Sequence, residues 1–162
     1  MVEHANDCSE IEPPDGDDAE WYAQAPQLLK ITIFAANLMV HANGRPNVSF
    51  AASIIMDEGI DRPYDDTREL QEEWRMYVPP AATLMMIAGR KIRELCFMNQ
   101  LHADDNKHSV QSKWGGRTYS AGRWTFWKQR FRQLAVSSVI DVQCREHAKK
   151  AYQAMDKLDN DT

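Results

Sequence analysis

SAGRWTFWKQRFRQLA, residues 120–135, sets two tryptophans three positions apart among basic side chains. Whether those rings bury or grip a ligand decides how the chain is read. Ser120 is a natural N-cap for a helix beginning at Ala121, because its side-chain oxygen can accept from a first-turn N–H that has no helical partner. At about 100° per residue, Trp124, Trp127, Phe131, Leu134 and Ala135 fall on one narrow face. That face is predicted to be core, since large aromatics at helical spacing normally bury. Lys128 and Arg130 flank it and are expected to lay their stems over the rings while their charges stay in water. Phe126 points elsewhere, among Thr125, Gln129 and Gln133. With Trp114 and Tyr119 from the preceding loop it makes either a satellite cluster or an anchor for another protein. Phe126, Trp114 and Tyr119 are therefore the candidate partner-binding residues.

The segments around this helix also read as helical. From Trp21 to His41 the chain is apolar nearly all round, too long for a strand, and is predicted to be a buried helix that Asn43-Gly44 stops. VSFAASIIMDEG follows, with Ser49 as N-cap and Gly59 as terminator. TRELQEEWR reads as a turn or two of helix anchored by Leu70 and Trp74. VPPAATLMMIAGRKIRELCF is the best amphipathic pattern: Ala81, Leu84, Met85, Ala88, Ile92, Leu95 and Cys96 share a face, with Thr83, Arg90 and Glu94 opposite. Pro79 and Pro80 suit its first turn, where a missing N–H costs nothing. Gly89, costly in mid-helix, predicts a second helix crossing close beside it. Residues 99–119 read as a long polar loop. The last helix puts Cys144, Ala148, Ala151, Met155 and Leu158 on one stripe.

Composition narrows the class. With 162 residues, 43% hydrophobic and 27% charged, the chain fits one globular domain that needs neither metal nor disulfide to fold. No stretch is apolar for the ~18 residues a membrane span requires. An acidic N-terminus without an apolar run is not a secretory signal, and Cys8, Cys96 and Cys144, three and widely spaced, fit reduced thiols. An intracellular, cytoplasmic setting is expected. Residues 1–20 hold eight carboxylates and no Lys or Arg, whereas Asn106 to Ile140 holds seven Lys or Arg and no carboxylate. Asp57 to Glu73 adds eight more carboxylates. These blocks are expected to neutralise one another within the fold. Residues 1–19, poor in large apolar groups, are expected to be a disordered acidic tail.

Two blocks, V-P-x-A-A…A-G in YVPPAATLMMIAGRKIRELC and R-W-x-F-W-K-x-R-F in YSAGRWTFWKQRFRQLA, follow FAANLMVHANGRPNVSFAASIIMDEGID in a fixed order. In that order and spacing the chain resembles the fungal family catalogued as domain of unknown function 3632, over roughly residues 28–158. It departs from the family at Thr83-Leu84-Met85, where an aromatic is usual, so it is identified as a short or divergent member. The resemblance implies an all-helical, fungal, intracellular protein. It carries no activity over to any residue.

Catalytic signals are sparse. Asp65, Asp66 and Glu69 have the spacing of an acidic metal-diphosphate motif and would hold Mg²⁺ if they shared a helix face. Charge runs of this kind usually form solvated faces. His102, Asp104, Asp105 and His108 fit no standard metal geometry. Cys144 and His147 share a helix face as a nucleophile pair would, beside the simpler reading of a buried thiol next to a boundary histidine. Aromatic rings near Lys113, Arg117, Arg123 and Arg130 would suit single-stranded nucleic acid. An isoelectric point near 5.5 and the lack of any RNP, KH or zinc-finger pattern disfavour it.

The sequence therefore predicts an all-α, single compact domain of five or six helices over residues 20–160, packed around Phe34, Leu84, Ile92, Trp124, Trp127 and Phe131. The leading function is a non-enzymatic interaction module with a protein partner or a second copy, no cofactor and no membrane. The alternative is a small helical ligand-binding protein or metal-dependent enzyme, with Mg²⁺ at Asp65, Asp66 and Glu69.

Overall fold

One helix of 31 residues, Arg68–Met98, runs through the middle of the molecule and touches every other helix described. The structure, a computed structural model, describes residues 23–41, 46–61, 68–98 and 119–161. In chain order the helices are α1 (Ala25–His41), α2 (Pro46–Gly59), α3 (Arg68–Met98), α4 (Ala121–Ala135) and α5 (Val142–Asn160). No strand occurs among the described residues, so the fold is all-α. The helices α1 and α2 pack on one another and on α3, whereas α4 and α5 pair with each other and cover α3 from elsewhere. Residues 1–19, Asn43-Gly44 and most of the 99–119 loop, for which a tail, a stop and a loop are expected, lie outside the described residues.

The core follows the predicted stripes. Leu84, Ile92, Trp127, Phe131, Leu134, Ala148, Ala151 and Met155 are fully buried, as are Ala81 and Cys96. The predicted N-cap of α4 forms, with the Ser120 side chain accepting from Arg123 N–H, and the structure adds a second at α5, where Asp141 accepts from Cys144 N–H at 2.8 Å. Cys96 and Cys144 are free thiols.

Several expectations fail, each for a physical reason. The prolines do not start a helix. Pro79 and Pro80 lie inside α3, where they remove the donors that the carbonyls of Arg75 and Met76 would ordinarily take. The helix continues because Trp74, Met76 and Val78 before the prolines and Ala81, Ala82 and Leu84 after them are all buried. That burial outweighs a cost of about 3 kcal/mol per interior proline. Ser49 is not a cap, because α2 already begins at Pro46, whose fixed φ suits a first turn. Thr83 is buried because α3 has neighbours on several sides. Arg130 is not in water. It is only 8% exposed, with its guanidinium over the rings of Phe126 at 5.1 Å and Trp74 at 5.9 Å. Phe34, expected in the core, is 68% exposed.

Two glycines record where helices approach closely. A Cβ on Gly59 would sit 3.0 Å from the Tyr77 Cβ and 3.1 Å from the Tyr77 carbonyl oxygen, both fixed parts of α3. A Cβ on Gly89 would meet only the Leu158 Cδ1 tip, at 3.2 Å, so the close crossing expected there is made, and α5 makes it. Gly59→Ala is therefore expected to cost about 1–3 kcal/mol through forced displacement of α2 from α3. In Gly89→Ala a small shift of Leu158 is offset by a helix-propensity gain of up to about 1 kcal/mol. Urea unfolding distinguishes them, and equal losses for the two variants would contradict the close α2–α3 crossing.

Candidate functional site

The block R-W-x-F-W-K-x-R-F is the most distinctive stretch of the chain, and its polar groups turn inward. Burial of the Trp127 indole requires a partner for its N–H, and Nε1 donates to Asp61 Oδ1 at 2.7 Å. Arg123, whose side chain is 4% exposed, donates to Asp61 Oδ2 through Nε at 2.9 Å and Nη2 at 2.6 Å, and pairs also with Asp57. Its guanidinium lies 5.0 Å over the Trp127 ring. Trp124 Nε1 donates to Asp159 Oδ1 at 3.0 Å. The same carboxylate accepts from Arg93 Nε at 2.9 Å and Lys128 Nζ at 2.7 Å, and Lys128 also reaches Asp156 at 2.9 Å.

Asp61 thus ties the end of α2 to α4, and Asp159 ties α3 and α4 to α5. The expected neutralisation of charge blocks is visible here. Arg123 of the basic stretch meets Asp57 and Asp61 of the acidic one. Burial pushes the Asp159 carboxyl up, but the hydrogen bonds from Lys128, Arg93 and Trp124 together hold it below its ordinary value. A carboxyl lowered in the folded state adds stability above its unfolded value of about 3.9 and loses it as pH falls through the folded value. Asp159→Asn is expected to cost about 1–2 kcal/mol at pH 7. The gap between it and the wild type should close below about pH 4. Urea titrations at pH 7, 5 and 3 check this, and a gap that stays constant would contradict it.

Cys144 is the buried thiol of the simpler reading. It is 2% exposed, donates to the Trp74 carbonyl at 3.7 Å and to Asp141 Oδ2 at 3.6 Å, and burial pushes its thiol up to about 12. Burial also lowers the basicity of His147. A high thiol pKa beside a poorly basic imidazole is the reverse of an activated pair. Among the described residues no group of three His, Cys, Asp or Glu side chains is placed to hold a metal ion. Glu69 lies in the first turn of α3, while Asp65, Asp66, His102, Asp104, Asp105 and His108 lie outside the described residues.

Of the candidate partner-binding residues, Trp114 is outside the described residues. Tyr119 is 4% exposed and stands edge-on to Trp127, with ring centroids 6.4 Å apart. Phe126 is partly buried and, with Gln129, Arg130, Arg132, Gln133 and the exposed Val136, lines an open groove of about 530 Å³. Tyr119 therefore packs on the buried stripe of α4, whereas Phe126 lines the groove.

The surface that sequence reasoning missed is on α1. Its buried residues are Thr32, Ala35, Ala36 and Met39, whereas Ile31, Ile33, Phe34, Leu38 and Val40 are 39–68% exposed. Apart from Met39, the buried side chains are small, and five large apolar ones are exposed. A signal was present: the helix is apolar all round, yet its small residues cluster on one side and Ile31, Phe34 and Leu38 share the other at i, i+3 and i+7. No described helix is long and apolar enough to cross a membrane, so this face is not a lipid span.

In comparison with known proteins, a family model described as "Protein of unknown function (DUF3632)" covers residues 3–131. It begins upstream of the resemblance read from the motifs and stops at the end of the R-W-x-F-W-K-x-R-F block. No curated protein and no solved structure matches.

Proposed function

The chain belongs to the family described as "Protein of unknown function (DUF3632)", and from that premise we propose that it is a non-enzymatic helical module that works by binding another protein surface. The observation that supports this most is the outward apolar face of α1. Contiguous apolar surface of several hundred Å² on a folded domain ordinarily marks an interaction site. The inward turn of the aromatic and basic block adds support, because Trp124, Trp127 and Arg123 are buried and bonded inside the domain and unavailable to a ligand or a nucleic acid strand. The reading carries with it the fungal origin implied by the resemblance and the intracellular, cytoplasmic setting expected from the sequence. The rival reading, a ligand-binding or Mg²⁺-dependent protein built on Asp65, Asp66 and Glu69, has no observation in its favour.

A photo-crosslinking amino acid at position 34, compared with one at the exposed Gln153 of α5, tests the proposal in cells. Discrete adducts are expected from position 34, absent from position 153, and lost when Leu38→Glu is added to a chain that still folds. Matching adduct patterns at both positions, or none at position 34, would remove the support.

A further inference from the structure

We propose that the partner of the α1 face is a second copy of this chain, docked antiparallel along Ile31, Phe34 and Leu38; this rests on the interaction reading above and deepens it. At about 100° per residue these three fall within an arc of about 60°, whose centre lies roughly 120° round the helix from the buried Thr32 and Met39. Two polar residues beside the stripe, Asn37 and His41, already bond their own helix. Asn37 Nδ2 donates to the Ile33 carbonyl at 2.8 Å, and His41 Nδ1 lies 2.7 Å from the Asn37 carbonyl. These two nitrogens therefore keep a partner when the face loses its water.

Charge selects among occupants. Lys30 is the one Lys, Arg, Asp or Glu on α1. An acidic peptide or an anionic lipid surface would call for several cations along the helix, whereas an uncharged apolar stripe is matched by its own copy, since homodimer interfaces are the more apolar class. Pairing Ile31 with Leu38 of the second copy sets the twofold axis beside Phe34. It also places the two Lys30 charges about 13 Å apart along the axis, beyond the ~8 Å screening length at physiological salt. A parallel pair would set them side by side. The three side chains expose on the order of 300 Å² of apolar surface per copy, small against the roughly 800 Å² per partner of a standard stable interface. The dimer is accordingly weak and reversible on dilution.

Sedimentation equilibrium of the full chain, across about two decades of concentration and at low and high salt, tests the proposal. The mass is expected to rise from 18.6 kDa toward twice that value, and to do so no less at high salt. Phe34→Glu and Leu38→Glu should each stay monomeric with an unchanged melting temperature, because both side chains are exposed in one copy. Ile33→Glu, on the other flank, should still dimerise. The double variant Ile31→Lys with Leu38→Glu should regain part of the dimer at low salt, since antiparallel pairing opposes the new charges. Failure of that rescue would overturn the antiparallel register. A wild type that stays at 18.6 kDa throughout overturns the dimer. In that case, position-34 adducts to a different protein would leave the interaction reading standing, and the absence of adducts would remove both. A monomeric wild type whose melting temperature falls in Phe34→Glu would mean that the chain covers its own face, which also overturns the proposal.

Discussion

Trp127→Ala is expected to cost about 3–5 kcal/mol, the range for deleting a fully enclosed large aromatic from a core that cannot close the gap. The ring is 0% exposed, lies under the Arg123 guanidinium, meets Tyr119 edge-on and gives its N–H to Asp61. Every one of those neighbours is fixed by another helix or by the core, so little can move into the void. Phe126→Ala, one position earlier, is expected to cost only about 1–2 kcal/mol, because that ring, stacked with Arg130, is only partly buried at the lip of a groove. Urea unfolding of both variants gives the comparison directly. If Phe126→Ala were the more damaging of the two, the arrangement of α4 described above would be wrong.

Asp61→Ala should be nearly as severe, at about 3–5 kcal/mol, although it removes only a few atoms at the end of α2. It takes away an acceptor shared by a buried indole and a buried guanidinium. It also takes from Arg123 the more enclosed of the two carboxylates that pair with it among the described residues, since Asp61 is 14% exposed and Asp57 49%. The penalty comes from an indole N–H without its acceptor and from a buried charge with one carboxylate fewer beside it, so removing the charge should relieve the second part. Arg123→Met in the Asp61→Ala background is expected to recover at least part of the loss, and a double-mutant cycle measures the coupling. Strictly additive losses would show that the pair does not act as a unit.

The tryptophan stripe was legible because one physical rule sufficed: a helix with large rings at positions i, i+3 and i+7 buries them wherever it lies. The same rule located the faces of α5 and of the second half of α3. Charge blocks foretold that Arg123 would find carboxylates, but not that Asp57 and Asp61 would be the ones, since that depends on how α2 and α4 meet. Pro79 and Pro80 were misread because the rule for an isolated helix omits the burial on both sides that carries α3 through them. Phe34 was misread for a related reason. An all-apolar helix states that it wants neighbours, and only the packing shows that this domain supplies them on one side, where Ala35 and Ala36 permit a close approach. The candidate surface therefore lay in plain sight in residues 31–40 and was unreadable without the fold.

The carboxylate of Asp159 has a consequence for the order in which the molecule can be made. It sits near the end of the helix that leaves the ribosome last of the five, and it receives donors from Arg93 and Trp124, 66 and 35 positions earlier. While a chain is being synthesised, α3 and α4 emerge with the surfaces destined for Ala148, Ala151 and Met155 still uncovered. The nascent chain therefore carries an unfinished core, with Trp124 without its acceptor, until α5 is free to dock. Long-range closure of this kind is slow relative to local helix formation. A chain stalled before residue 142 is accordingly a substrate for chaperones and proteases rather than a smaller version of the folded domain.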